Sequence, residues 1–129
     1  MPNYTPNKDQ EVSITEQGIL DIIQETTTVT GTGTKYVDLV PPTGKQWRLK
    51  ALEFTRGAGF TYSGIIISIK TSSQEIDIDS QSIAGTGRYV FVNDIILNED
   101  IYLRVKFTVD SYTNNGDAIV NLLRVESSS

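Results

Sequence analysis

Pro41-Pro42-Thr43-Gly44-Lys45-Gln46-Trp47-Arg48-Leu49-Lys50-Ala51-Leu52-Glu53-Phe54 decides the fold. Two prolines and a glycine make a stiff corner, because proline fixes φ and donates no backbone hydrogen bond. An alternating run leaves that corner. Trp47, Leu49 and Ala51 share one parity, and Arg48 and Lys50 take the other, which is the period-two pattern of a half-buried strand. The phase then slips, since Leu52 and Phe54 carry the apolar parity onward. A β-bulge near Ala51 or Leu52 reconciles the two sets on one face. The only tryptophan of the chain lies here, so this strand is expected at the centre of the core.

Working outward, the rest of the chain repeats the pattern. Upstream, Gly18 to Thr30 reads mainly as strand, although the Ile19-Leu20-Asp21-Ile22-Ile23 spacing also suits a helical turn or a strand buried on both faces. Gly31-Thr32-Gly33-Thr34 reads as a hairpin turn, and Lys35–Val40 as a strand with Val37 and Leu39 inward. Downstream, Arg56 to Gly64 reads as a glycine-rich loop holding Phe60 and Tyr62. Ile65–Ile69 is the most β-prone run, and Thr71–Gln74 is a turn. Glu75–Asp79 alternates with its carboxylates outward. Ser80–Gly87 is a polar loop, and Arg88–Val92 looks buried on both sides. Asn93-Asp94 and Asn98-Glu99 read as turns around the short apolar Ile95–Leu97. Asp100–Val109 alternates most cleanly, with Ile101, Leu103, Val105, Phe107 and Val109 inward. Asn114-Asn115-Gly116-Asp117 is a strong turn signal before a last strand, Ala118–Val125.

Roughly eight to ten short strands, turns every 8–12 residues and no convincing helix predict an all-β chain. The expected architecture is an antiparallel β-sandwich, a jelly roll first and an immunoglobulin-like sandwich second. At 129 residues the chain suits one domain with a real core. Its division is read as an extended arm at residues 1–10, one sandwich domain at 11–126, opened by a short strand at Glu11–Thr15, and a frayed tail at 127–129. The arm has two prolines, almost nothing to bury and no apolar h-region of a secretory signal. No run has the length of a transmembrane helix.

Composition narrows function mostly by subtraction. The net charge is −5, which opposes nucleic acid and anionic membranes as partners. With no cysteine and no histidine, disulfides, the commonest general base and a nitrogen–sulfur zinc site are all excluded. Glu75, Asp77 and Asp79 offer hard oxygen ligands, but alternate strand side chains stand nearly 7 Å apart and no glycine-punctuated calcium loop is present. A solvated acidic edge that discourages aggregation is the better reading. Gly31-Thr32-Gly33 and Gly85-Thr86-Gly87 lack the spacing of a phosphate loop. No motif selects a catalytic carboxylate pair. The expectation is therefore a chain without enzymatic activity, metal or cofactor. Candidate interface residues are Tyr4 in the arm, Phe60 and Tyr62 in the glycine-rich loop, and Tyr112 near the late turn. Aromatic rings on a sandwich rim anchor protein interfaces or stack on sugars, and the alternative is that they cap the core.

The segment Val40-Pro41-Pro42-Thr43-Gly44-Lys45-Gln46-Trp47-Arg48-Leu49 resembles a corner-and-strand pattern of small virion proteins of tailed bacteriophages. The later Leu97–Val105 and Gly116–Leu122 segments continue the likeness, which spans residues 35–126 loosely. The resemblance implies a jelly-roll-like capsid decoration, head-fibre or tail-associated protein, located in the virion, oligomeric and in contact with other virion proteins. It carries over no catalytic residues. The alternative is a carbohydrate- or host-receptor-binding sandwich that uses the rim aromatics on a surface glycan.

Overall fold

The computed structural model describes residues 19–82 and 87–128. Eight antiparallel strands lie within them: β1 (Ile19–Val29), β2 (Gly33–Leu39), β3 (Lys45–Arg56), β4 (Phe60–Lys70), β5 (Glu75–Gln81), β6 (Tyr89–Leu97), β7 (Tyr102–Tyr112) and β8 (Gly116–Ser128). They form two four-stranded sheets. Sheet A has the order β1-β8-β3-β6 and sheet B the order β2-β7-β4-β5. The two sheets pack as a sandwich, and this pair of orders is that of an eight-stranded jelly roll. The arm Met1–Gln10, its Tyr4 and the strand expected at Glu11–Thr15 lie outside the described residues.

Both strands expected to be central are interior to their sheets, β3 in sheet A and β4 in sheet B. Trp47, Leu49, Leu52 and Phe54 of β3 are buried, and the register slips between Leu49 and Ala51 against both neighbours. The bulge restores the inward phase at Leu52. It also turns Ala51 outward, away from the core parity read for it, because cross-strand partners share a face and Ala51 lies opposite Leu123 and Val92. In β7 the alternation holds, with Leu103, Val105, Phe107 and Val109 buried. Ile101, read as inward, precedes the strand and is exposed.

The core is knitted by aromatic rings. Phe54 meets Tyr62 edge-on at 5.0 Å and Phe107 at 5.0 Å, and Phe60 stacks on Phe107 at 6.5 Å. Such contacts add to the area term that dominates sandwich stability. Trp47 is 4% exposed. Its Nε1–H donates to Glu126 Oε2 at 2.9 Å, and the Arg124 guanidinium lies 4.8 Å from the ring.

Several local readings are corrected by the topology. Gly31–Thr34 is not a hairpin turn, since β1 pairs with β8 and β2 with β7; the segment carries the chain from one sheet to the other. The same is true of Asn114–Asp117. Of the consecutive strands described, only β4 and β5 pair, through the turn at Thr71–Gln74. Phe60 and Tyr62 belong to β4 rather than to a loop. The connection before them is only Gly57–Gly59, laid against the β7–β8 turn with Gly57 N–H donating to Asp117 O at 2.8 Å and Thr113 N–H to Gly59 O at 2.8 Å. A Cβ on Gly116 would stand 1.9 Å from the Ala58 carbonyl oxygen. Here glycine serves backbone-to-backbone approach, not freedom. Asn93-Asp94 does not turn the chain, because β6 runs unbroken from Tyr89 to Leu97. Finally, Ser127 and Ser128 pair with Gln46 and Lys45, so β8 extends through most of the tail read as frayed.

Candidate functional site

The two sheets present opposite kinds of outer surface. On sheet B, one row crosses Asp38, Arg104, Ser68 and Asp77. Arg104 Nε and Nη2 donate to the two carboxylate oxygens of Asp38 at 2.7 and 3.0 Å, and the guanidinium lies 3.9 Å from the Tyr36 ring centre. Lys106 bridges Glu75 and Asp77, the latter at 3.2 Å, while Ser68 Oγ donates to Asp77 at 2.6 Å. The Lys106 ammonium holds Glu75 below its ordinary range, and Ser68 followed by Lys106 does the same for Asp77. The hydrogen bonds of Asp38 raise the Arg104 pKa further. The acidic strand expected as a solvated edge is thus an edge strand whose carboxylates Glu75 and Asp77 are tied to β4 and β7. Among the described residues no group of acidic side chains is arranged to hold a metal.

On sheet A, the corresponding row crosses Ile22, Leu123, Ala51 and Val92. The row beside it crosses Leu20, Val125, Arg48 and Ile96. Ile22 is 70% and Val92 76% exposed, and Leu20, Val90 and Ile96 are also exposed. The apolar side chains come from three strands that carry them on both parities. In β6 Tyr89 and Phe91 fill the core while Val90 and Val92 face out. In β8 Val120 and Leu122 are inward and Leu123 and Val125 outward. In β1 Ile23 packs on the core and Leu20 and Ile22 do not. A strand with two apolar faces is ordinarily covered on both. Arg88–Val92 has the sequence of such a strand, and only one of its faces is covered among the described residues.

Between the exposed edges of this face lies a groove of about 350 Å³, lined by Ile22, Ala51, Val90 and Leu123, with Asn121 and Arg88 at its polar end. The charges around it are held in ion pairs, three cations on two carboxylates. Arg48 Nε and Lys50 Nζ reach Asp94 at 2.9 and 3.2 Å, and Arg88 reaches Glu53 at 2.9 Å. Hydrogen bonds from Arg48 and then Lys50 hold Asp94 below its ordinary range. The polar dipeptide Asn93-Asp94 sits opposite the β3 bulge, where Asp94 collects both cations.

The interface residues read from the sequence fall elsewhere. Phe60 and Tyr112 are register partners, and Tyr62 lies beside them on β4. Phe60 is 3% exposed and Tyr62 fully buried, so neither ring is available to a glycan or a partner. Both belong to the core, which is the alternative given for them, and burial raises the Tyr62 phenol pKa. Tyr112 is half-buried against the core, and its hydroxyl donates to Asn115 Oδ1. The sequence does not disclose the apolar face, because each of its residues reads as part of a core on both sides of the strand.

No protein-family model and no curated protein matches this chain. Among solved structures it is similar to the mitogen derived from Yersinia pseudotuberculosis, at 13% identity and a TM-score of 0.50, covering 81% of this chain and 86% of that one. It is also similar to the decameric BFDV capsid protein, at 6% identity, TM-score 0.47, covering 86% and 98%. A third is the C-terminal family 22 carbohydrate-binding module of Clostridium thermocellum Xyn10B, at 10% identity, TM-score 0.37, covering 86% and 82%. The likeness to the mitogen, at 13% identity, is one of fold alone: a two-sheet, all-β sandwich.

Proposed function

We propose that this chain is a non-enzymatic structural subunit of a virion, a capsid decoration or accessory protein of the tailed-bacteriophage kind, that works by docking. The observation that carries the docking half is the outer face of sheet A. Its apolar rows are left open among the described residues, which tie up the other outer face with hydrogen bonds and ion pairs. Exposed apolar surface of this extent on a monomer is ordinarily an interaction site. The corner-and-strand resemblance of Val40–Leu49 supports the virion half. Neither half needs a cofactor, a metal or a reacting side chain, and the partners are copies of the chain and other virion proteins.

The test is association with particles. Tagged protein is mixed with phage particles from the organism that carries the gene and sedimented through a density gradient. The reading predicts co-sedimentation at saturable stoichiometry. Protein that stays at the top of the gradient, and particles whose protein content lacks the chain, would contradict it.

A further inference from the structure

Four strands carry the free edges of the two sheets, and three of them are blunted. β5 places Glu75, Asp77 and Asp79 within seven residues, β2 is equally short and carries Lys35 and Asp38, and β1 carries Asp21, Glu25 and a run of threonines. β6 is different. It runs nine residues from Tyr89 to Leu97 with one charge, Asp94, and it has no lysine or proline, the residues that ordinarily keep an edge from pairing. Among the described residues its only ladder is with β3, so alternate N–H and C=O groups on its other side point out of the sheet. We propose that the β6 edge pairs antiparallel with the β6 edge of a second copy, about a two-fold axis through Asn93, and joins two four-stranded sheets into one. The inference rests on the reading of the chain as a docking subunit and adds a contact between copies at the edge of sheet A.

The sequence of β6 selects its own copy as the occupant. Asn93 is the middle residue of the strand, and antiparallel pairing about it overlaps every position. Val90 then lies opposite Ile96, Phe91 opposite Ile95 and Tyr89 opposite Leu97. Apolar meets apolar on both faces, and the Asn93 amide meets its twin, donor to acceptor. Asp94 lies opposite Val92 rather than opposite the other Asp94, and each carboxylate keeps its own Arg48 and Lys50. An axis through Asp94 would set carboxylate on carboxylate, and an axis through Val92 would set Phe91 against Asn93. The alternation persists through the register slip against β3, since Val92 faces out and Ile95 packs on the core. The edge is open on both faces. Val90 and Ile96 are 48% and 55% exposed, and Asn93, on the core side of the strand, is exposed as well. The carboxylates of β5 stand off the faces of sheet B rather than out of its edge, Glu75 and Asp77 held by Lys106 and Asp79 by the Tyr89 hydroxyl. Pairing of the whole strand supplies about eight to ten main-chain hydrogen bonds. Residue i meets j and j meets i, as an isologous interface requires.

The experiment is disulfide trapping on the full chain, which has no cysteine of its own. Under mild oxidation Asn93→Cys should form a covalent dimer in high yield, because facing residues of antiparallel strands stand about 5 Å apart, within disulfide reach. Val90→Cys and Ile96→Cys should each cross-link poorly with itself, since the two-fold copies of either position lie about 20 Å apart along the strands. Mixed together, the two variants should cross-link with each other. Sedimentation equilibrium should show the wild type in a concentration-dependent balance between 14.3 kDa and twice that mass. The double variant Val90→Lys/Ile96→Lys sets lysine opposite lysine at two places and should weaken the dimer about tenfold or more, with the thermal midpoint unchanged. Should the lysines unfold the chain, trapping alone decides. A wild type that stays monomeric to about 0.5 mM, a mixture that cross-links no better than its components, equal trapping at all three positions, or a dimer indifferent to the lysines each overturns the proposal. Failure here leaves particle association standing, and a trapped dimer that binds no particle overturns the virion reading alone.

Discussion

Two rows of four residues, one on each outer face, show how differently the same scaffold is finished. Asp38–Arg104–Ser68–Asp77 on sheet B holds two charge-assisted hydrogen-bonded pairs, Asp38 with Arg104 and Asp77 with Ser68, so that every charged or hydroxyl-bearing side chain has a partner. Ile22–Leu123–Ala51–Val92 on sheet A has no polar atom beyond the backbone. Both rows cross four strands, and both back onto the same buried core. The difference teaches that twist, pairing and core leave an outer face undetermined. A row whose polar groups satisfy one another needs no further partner. A row of branched aliphatics reaches low free energy only when something covers it.

The largest expected effect tests the part the two faces share. Trp47→Ala removes a buried indole together with the hydrogen bond to Glu126, and aromatic-to-alanine changes in a core typically cost about 3–5 kcal/mol. Urea unfolding should show a lower midpoint at similar slope. A loss below roughly 1 kcal/mol would place Trp47 outside the core.

Next comes the polar row. Arg104→Met leaves Asp38 without its bidentate donor, and both side chains are less than a third exposed. Truncating one partner of a charge-assisted pair of this kind costs about 2 kcal/mol. A change within about 0.5 kcal/mol would mean that the row is solvated decoration.

Smaller still is the response to acid. Glu75 and Asp77 titrate below their ordinary range in the folded chain. A carboxylate with a depressed folded pKa contributes stability that is present above its unfolded pKa, about 4. That stability is lost as pH falls through the folded pKa. Thermal midpoints should therefore decline as pH drops from about 5 toward 3. Lys106→Met should flatten the decline, because Lys106 supplies the largest effect on Glu75 and the second on Asp77. An equally steep decline in the variant would show that other carboxylates govern it.

The smallest expected change in stability comes from the apolar row. Val92→Asp adds a charge to a side chain that is 76% exposed on an edge strand. The folding stability of the dilute monomer should shift by no more than about 0.5 kcal/mol. A loss of several kcal/mol would show that Val92 supports the core and that the face is closed within the chain.

This contrast also marks what the residues disclose on their own. The β3 strand and its bulge are legible, because Trp47, Leu49, Leu52 and Phe54 leave one solution to the phase slip. Strand β7 is legible because polar residues separate Leu103, Val105, Phe107 and Val109. The jelly roll itself is legible at the level of strand count and turn spacing. The partners of Gly31–Thr34 and Asn114–Asp117 are not, since glycine and asparagine mark a reversal without saying whether the next strand joins the same sheet. Phe60 and Tyr62 read as loop residues because Gly57, Gly59 and Gly64 surround them. Yet Gly64 is a positive-φ residue inside β4, where the register against β7 slips between Ser63 and Ile65, and the strand continues through it. The apolar face is hidden for a deeper reason. Tyr89-Val90-Phe91-Val92 is apolar at every position, and periodicity reports that both faces avoid water without saying what covers the second.

The central claim is that the outer face of sheet A is covered in the working state while that of sheet B stays wet. Hydroxyl-radical footprinting, on dilute protein and again on the concentrated or particle-bound form, measures both faces together. Leu20, Ile22, Val92 and Ile96 should lose labelling on assembly, while Tyr36 and Ile76 keep theirs. Unchanged labelling of Ile22 and Val92, or protection centred on Tyr36, would contradict the account.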